Sequence, residues 1–264
     1  MSEEDAGWLA RARADAALPP LRPRDPLHVD EGGGKLVAVG SIERDIAERL
    51  VEARLPLRRS ASGWRIDAPA VASLAAIAAW LRDAGLAGRW RDELLAVVDA
   101  DERAVATIER GVVRVLGLTT HAVHLVGFAP HGDAVWVQQR AFDKATDPGL
   151  WDTLMGGQIA ADETVDSALA RETWEEAGLD VHALRELRAA GRVTIRRPVA
   201  EGYMVEHLAV YTARVPGGVV PVNRDGEVVR FACLGRAELQ TRLARGEFTL
   251  EASLILARAA LAQD

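Results

Sequence analysis

Near the end of the stretch LMGGQIAADETVDSALARETWEEAGL (154–179), Glu172, Glu175 and Glu176 crowd beside Arg171. Thr164 can cap a helix, Asp166 suits its positive end, and Gly178 can close it in a left-handed conformation, so the spacing predicts a helix over 165–177. At about 100° per residue, Glu176 lies about 40° to one side of Glu172 and Glu175 about 60° to the other, so all three carboxylates share one arc. Such neighbours repel by roughly 0.2–0.5 kcal/mol per pair on an exposed helix, and by more when desolvated. A divalent cation reverses that cost. Hard oxygen ligands suit Mg²⁺ or Mn²⁺, which divides its coordination among carboxylates, waters and phosphates and can assist attack by water at phosphorus. Acidic clusters are usually solvated faces; the fixed spacing with Arg171 and two glycines favours the cation site here.

From Gly157 the chain reads G-x5-E-x7-R-E-x-x-E-E-x-G, which resembles the Nudix hydrolase box. One position departs: Thr173 stands where the family pattern has an aliphatic residue, and its methyl can still be buried. The resemblance implies that Glu172, Glu175, Glu176 and the Gly156 carbonyl hold the metal, that Arg171 orients the carboxylates, and that Glu163 pairs with Arg171. For the general base it leaves Glu172 beside Asp225 or Glu227 in NRDGEVV.

Flanking stretches, QQRAFDKATDPGLWDTLMGG and RRPVAEGYMVEHLAVYTARVPGGVVPVNRDGEV, resemble a subgroup with an extra N-terminal domain. Its eukaryotic members are associated with hydrolysis of oxidised or damaged thiamine diphosphate to the monophosphate. The expected function is therefore metal-dependent hydrolysis of a small organic diphosphate. The alternatives are a hydrolase of nucleoside diphosphates linked to another moiety, such as ADP-ribose, and a diphosphate-binding sensor without turnover. Isomerisation of isopentenyl diphosphate is disfavoured, because that family needs a cysteine upstream of its box and none precedes this one.

For the substrate, Arg140 and Lys144 could hold phosphate oxygens, and Trp151 and Tyr203 could stack on a flat heterocycle; strand-end surface and core packing are their plainer roles. Asp152 could read a ring nitrogen or cap a turn. His121 and His124 alternate onto opposite faces of a strand, so that pair is read as packing and not as a zinc site. Cys233 reads as a small buried apolar residue.

These residues need elements to place them. A helix over 2–18 should stop at PPLRPRDP, and further helices are expected over 41–53, capped by Ser41, 70–83 and 103–115. LRRSASGWRID predicts two short strands about a turn. Strands follow over 120–128 and 134–140 and in RVTIRR, YMVEHLAVYTARV and EVVRFACL, before a closing helix over 251–262. The expected fold is α/β (α+β): a mixed sheet sandwiched by helices over 118–264, preceded by a smaller helical or α+β accessory domain over 1–117.

Apolar residues are 49% and charged residues 27% of 264, near the soluble average, which favours a globular chain over a disordered or fibrous one. A net charge of -7 argues against binding nucleic acid. The acidic start does not resemble a signal peptide, and the longest apolar-rich run, AVASLAAIAAWL, is too short to cross a membrane. One cysteine excludes an internal disulfide and a multi-cysteine metal site. A cytoplasmic enzyme acting on a small molecule is the expected setting; the resemblance admits a homodimer, and the oligomeric state stays open.

Overall fold

The computed structural model describes residues 3–260. Helix α1 (Glu3–Asp15) ends before the proline-rich segment, where missing N–H groups prevent continuation. Strands β1 (Arg24–Asp30) and β2 (Leu36–Glu43), helix α2 (Arg44–Glu52), strands β3 (Leu57–Ser60) and β4 (Gly63–Ile66) and helix α3 (Ala70–Asp83) follow. The four strands pair in the order β2-β1-β4-β3, with β1 and β4 parallel. Leu27, Val29 and Ile66 of this sheet meet Leu50, Leu74, Ile77 and Leu81 of the two helices in one core. Helix α1 lies elsewhere: Trp8, Ala12 and Ala16 join the core beneath the C-terminal helices.

Two expectations fail in this half. The helix expected over 41–53 begins only at Arg44, because Ser41 and Ile42 belong to β2. Ser41 is already engaged there, its hydroxyl accepting from Arg24 Nε at 3.0 Å, and Glu43 takes the cap position without a side-chain bond. The helix expected over 103–115 is instead a strand and a short 3₁₀ turn: β5 (Leu94–Val98) and β6 (Ala104–Glu109) form an antiparallel hairpin, followed by the turn at Arg110–Val112. The period is two, with Ala106 and Ile108 buried on one face. Glu109 fixes the exit, its carboxylate accepting from the backbone N–H groups of Arg91 (2.8 Å), Glu93 (3.1 Å) and Gly111 (3.2 Å).

The larger sheet contains β7 (Thr119–Phe128), β8 (Ala134–Arg140), β9 (Trp151–Asp152), β10 (Met155–Gln158), β11 (Arg185–Val199), β12 (Gly202–Arg214) and β13 (Val228–Gly235). Its path is β11-β12-β7-β8-β13, with β10 on β7 and β9 on β8. It is mixed: β7 and β12 run parallel and the other pairs antiparallel. Alternation along β7 fills two layers. Val123 and Leu125 pack with Ala168 and Leu169 of α4 (Val165–Ala177), whereas Ala122 and Val126 share a core with α1, α5 (Arg236–Ala244) and α6 (Leu250–Ala259). The sheet is therefore sandwiched by helices, as expected. The closing helix starts one residue early and ends at Ala259, capped by Ala260, short of the expected 262, which itself lies outside the described residues. Among the described residues no helix is long and apolar enough to cross a membrane.

Helix α4 has the predicted bounds and caps. Thr164 Oγ1 accepts from Ser167 N at 3.1 Å, Ser167 Oγ accepts in return from Thr164 N at 2.9 Å, and Gly178 is left-handed at φ 63°. Thr173 is fully buried, its hydroxyl donating to Leu169 O at 2.6 Å. A Cβ on Gly178 would stand 2.6 Å from Val222 O, whereas one on Gly246, also left-handed at φ 70°, would meet nothing within 4 Å. Both Gly→Ala changes should therefore incur the left-handed penalty of about 1–2 kcal/mol, with Gly178→Ala clearly the worse; urea unfolding of the two variants checks this, and equal losses would remove the Val222 contact as a determinant.

Candidate active site

Arg171 is the hub of the acidic cluster. Its Nε and Nη2 grip Glu163 at 2.6 and 2.8 Å, and its Nη1 reaches Glu172 at 2.8 Å and Glu175 at 3.1 Å. Hydrogen bonding from Arg171 holds the Glu163 carboxyl below its ordinary range, and Glu163 also accepts from Ala160 N at 3.0 Å, so the loop entering α4 is tied to the helix it precedes.

The glutamates do not share one environment. Glu176 is 3% exposed and accepts from Gly156 N (3.0 Å) and Gln138 Nε2 (2.8 Å); burial, and then the charge of Glu172, push its carboxyl up to about 8. Burial also raises Glu172, with Arg171 opposing. Glu175, on the outer flank of the arc, leaves 44% of its side chain exposed. Both preceding glycines are sterically required: a Cβ on Gly157 would overlap the Glu172 carboxylate, and one on Gly156 the His124 ring.

Glu172 and Glu176 open into a cavity of about 210 Å³. The loop before β13 supplies more acid to it. Val222 N and Arg224 N bond to the carbonyls of Ala177 and Glu175, and the Arg224 guanidinium lies 3.8 Å from the Trp174 ring centre, so this loop is docked on the end of α4. Asp225 and Glu227 thereby come together with Glu176, their ligand oxygens all within 4.8 Å of one another. Burial raises Asp225; it also pushes Glu227 up, but the Lys144 hydrogen bond and the charges of Lys144, Arg91 and Arg140 carry Glu227 below its ordinary value. An all-oxygen set beside backbone that admits no side chain fits a hard divalent cation.

Arg91, Arg110, Arg114, Arg140 and Lys144 line the same cavity. Arg140 and Lys144 are where the sequence led, paired with Asp152 (3.3 Å) and Glu227. Of the other three, Arg110 and Arg114 come from the segment misread as helix and Arg91 from the loop before β5, so spacing gave no sign of them. Glu206 and Glu251 were also missed. Glu206 is buried and accepts from Gln158 Nε2 (2.6 Å) and Thr120 Oγ1 (2.9 Å); Glu251 is pushed up to about 7 by burial and by Glu206. The signal for Glu206 was present: with Met204 and Leu208 it occupies the buried face of β12.

Neither proposed stacking residue lines this cavity. Trp151 is buried between Arg230 and Arg242, whose guanidiniums lie 5.2 and 4.9 Å from its ring centre. The Tyr203 hydroxyl donates to Leu18 O at 3.0 Å, tying β12 to the chain after α1. His121 and His124 do face opposite ways, His124 being buried against Thr153 Oγ1 at 3.0 Å. Cys233 is exposed rather than buried.

Residues 118–252 match the sequence profile described as the NUDIX domain. An uncharacterized Nudix hydrolase of Streptomyces coelicolor is 32% identical over 164 residues, 60% of this chain and 82% of that protein. An isopentenyl-diphosphate Delta-isomerase of Leifsonia xyli is 30% identical over 127 residues, 47% of this chain and 68% of that protein. The chain spans about half the length of other curated relatives it matches. In fold it is similar to the crystal structure of DR0079 from Deinococcus radiodurans, with a TM-score of 0.52, 22% identity, and coverage of 63% of this chain and 99% of that one.

The glycine cradle makes a specific demand. Gly157→Ala should weaken Mn²⁺ binding by roughly 10- to 100-fold with far-UV circular dichroism unchanged; unaltered affinity in a Mn²⁺ titration followed by electron paramagnetic resonance would show that Glu172 need not sit where it does.

Proposed function

The chain belongs to the NUDIX domain family, and on that premise we propose that it is a divalent-metal-dependent pyrophosphohydrolase cleaving the diphosphate bond of a small organic diphosphate. The observation that carries this reading is the cavity itself, which Glu172, Glu176 and Glu227 line together with Arg91, Arg110, Arg114, Arg140 and Lys144. The carboxylates suit a cation and the basic side chains suit phosphate oxygens. Glu172, Glu175, Glu176 and the Gly156 carbonyl, joined by Asp225 or Glu227, would hold Mg²⁺ or Mn²⁺, which supplies charge neutralisation at phosphorus and a more acidic water.

The protein's own groups do the remainder. Arg171 keeps Glu172 in place, and the arginines and Lys144 orient the diphosphate. Glu172 and Glu227 line the cavity and are placed to take a proton from an attacking water, whereas Asp225 does not line it. Residues 118–264 are the hydrolase unit in this reading, and the accessory segment 1–117 completes its phosphate wall through Arg91, Arg110 and Arg114.

For the organic group we favour an oxidised thiamine diphosphate over ADP-ribose. A cavity of about 210 Å³ suits a compact group, and Glu206, Glu251 and Asp152 favour one that brings N–H donors or positive charge. Isomerase chemistry lacks its cysteine here, since Cys233 does not line the cavity.

A screen of organic diphosphates with Mg²⁺ and Mn²⁺, with products identified by mass, tests this: the monophosphate of oxidised thiamine is the expected product. ADP-ribose turnover in its place supports the alternative substrate, and tight binding with no phosphate release would leave a sensor. Glu176→Gln should lower kcat by at least roughly 100-fold. Arg114→Ala and Arg140→Ala should instead raise KM by roughly tenfold or more, as expected for lost charge-assisted hydrogen bonds; unchanged KM in both would remove them from the phosphate wall.

A further inference from the structure

A second cavity, about 360 Å³, lies on the other face of β7, between the β5–β6 hairpin and the larger sheet. Its polar lining is Glu102, His121, His207 and Arg192, with Glu163 and Thr164 at one side. His121 on β7 and His207 on β12 are register partners in the parallel pair, and their rings meet edge to face at 5.5 Å. Glu102 approaches from the hairpin turn, with left-handed backbone at φ 62°, a conformation that a non-glycine keeps only when its surroundings hold it. His207 Nδ1 is 3.1 Å from Glu102 Oε1, and His121 Nε2 is 4.0 Å from Glu102 Oε2.

We propose that Glu102, His121 and His207 form a second metal site, for Zn²⁺ or a similar borderline transition metal, which clamps the hairpin to the larger sheet. Three ligand atoms, one from each residue, all lie within 4.8 Å of one another. A tetrahedral ion with bonds of about 2.0–2.1 Å holds its ligands about 3.3 Å apart, so side-chain closure of at most about 1.5 Å completes the site. Two imidazoles and a carboxylate are a donor set that zinc accepts, with a fourth position left for water from the cavity, whereas Mg²⁺ prefers oxygen.

Arg192 grips the Glu102 carboxylate, with Nη2 at 2.7 Å from Oε2, and orients it as hydrogen bonds to ligating carboxylates do. Its Nη1 also lies 3.4 Å from His207 Nδ1, so an ion entering the site takes that nitrogen from the guanidinium. The ion would join segments that are far apart in sequence: Glu102 belongs to the hairpin whose Leu94 carbonyl accepts from Ala161 N at 2.8 Å, in the loop leading to Glu163 and α4. The clamp therefore holds the outer support of the catalytic loop, and it is separate from the carboxylate cluster.

The test is calorimetric titration of Zn²⁺ into the chelator-stripped full chain, with excess Mg²⁺ occupying the α4 carboxylates. One zinc per chain is expected. His121→Gln and His207→Gln should each weaken binding by more than tenfold and Arg192→Gln by roughly 10- to 100-fold, with Glu176→Gln binding zinc like the unmodified chain. Co²⁺ added to the unmodified chain should give the strong visible bands of a low-coordinate site, displaced by equimolar Zn²⁺, a readout that needs no variant to fold. Absence of zinc uptake and of those bands, or uptake lost in Glu176→Gln and retained in both histidine variants, would overturn the proposal and leave only an Arg192–Glu102–His207 polar network.

Discussion

The burial of like-charged carboxylates at one end of α4 is the constraint on which the rest of the structure depends. Glu176 is nearly inaccessible and Glu172 largely so, and neither would remain there on propensity alone. Arg171 answers part of the repulsion from outside, while the Gly156 N–H and Gln138 answer part from within. Burial still opposes ionisation of both carboxyls, and a cation in the cavity would favour their charged forms.

Several features that look independent serve this arrangement. The glycines of β10 remove the side chains that would displace Glu172 and His124. The reciprocal Thr164–Ser167 cap and the left-handed Gly178 fix where α4 begins and ends, and therefore where the carboxylates fall. The loop carrying Asp225 and Glu227 is held to the same helix end by backbone bonds and by Arg224 over Trp174. A single helix thus organises two loops and two strands around one acidic wall.

What the sequence disclosed follows from how local each signal is. Helix α4, its caps and the glutamate–arginine spacing are short-range features, and α3, β7 and β8 follow from periodicity within one window; the structure places all of them close to their expected bounds. The segment 103–115 misled because its alternation over Ala104–Glu109 is short, and the hairpin is closed by Glu109 bonding backbone groups up to 18 residues away. Arg91, Arg110 and Arg114 gave no local signal as cavity residues, since only tertiary folding brings them to the cavity that α4 lines. Trp151 and Tyr203 err in the opposite sense: their chemistry suits stacking, yet Trp151 packs between arginines and the Tyr203 hydroxyl holds Leu18. Glu175 shares the arc of its neighbours but not their burial, which a helical wheel cannot distinguish.

The proposed reading puts a cation and a diphosphate together in one cavity, and thermodynamic linkage tests it without knowledge of the organic group. Binding of methylenediphosphonate to the full chain, measured with and without Mn²⁺, is the most direct measurement. The account predicts reciprocal tightening, at least about tenfold for each ligand in the presence of the other. Independent binding of the two would contradict it, because a diphosphate that does not sense the metal cannot share this cavity with it.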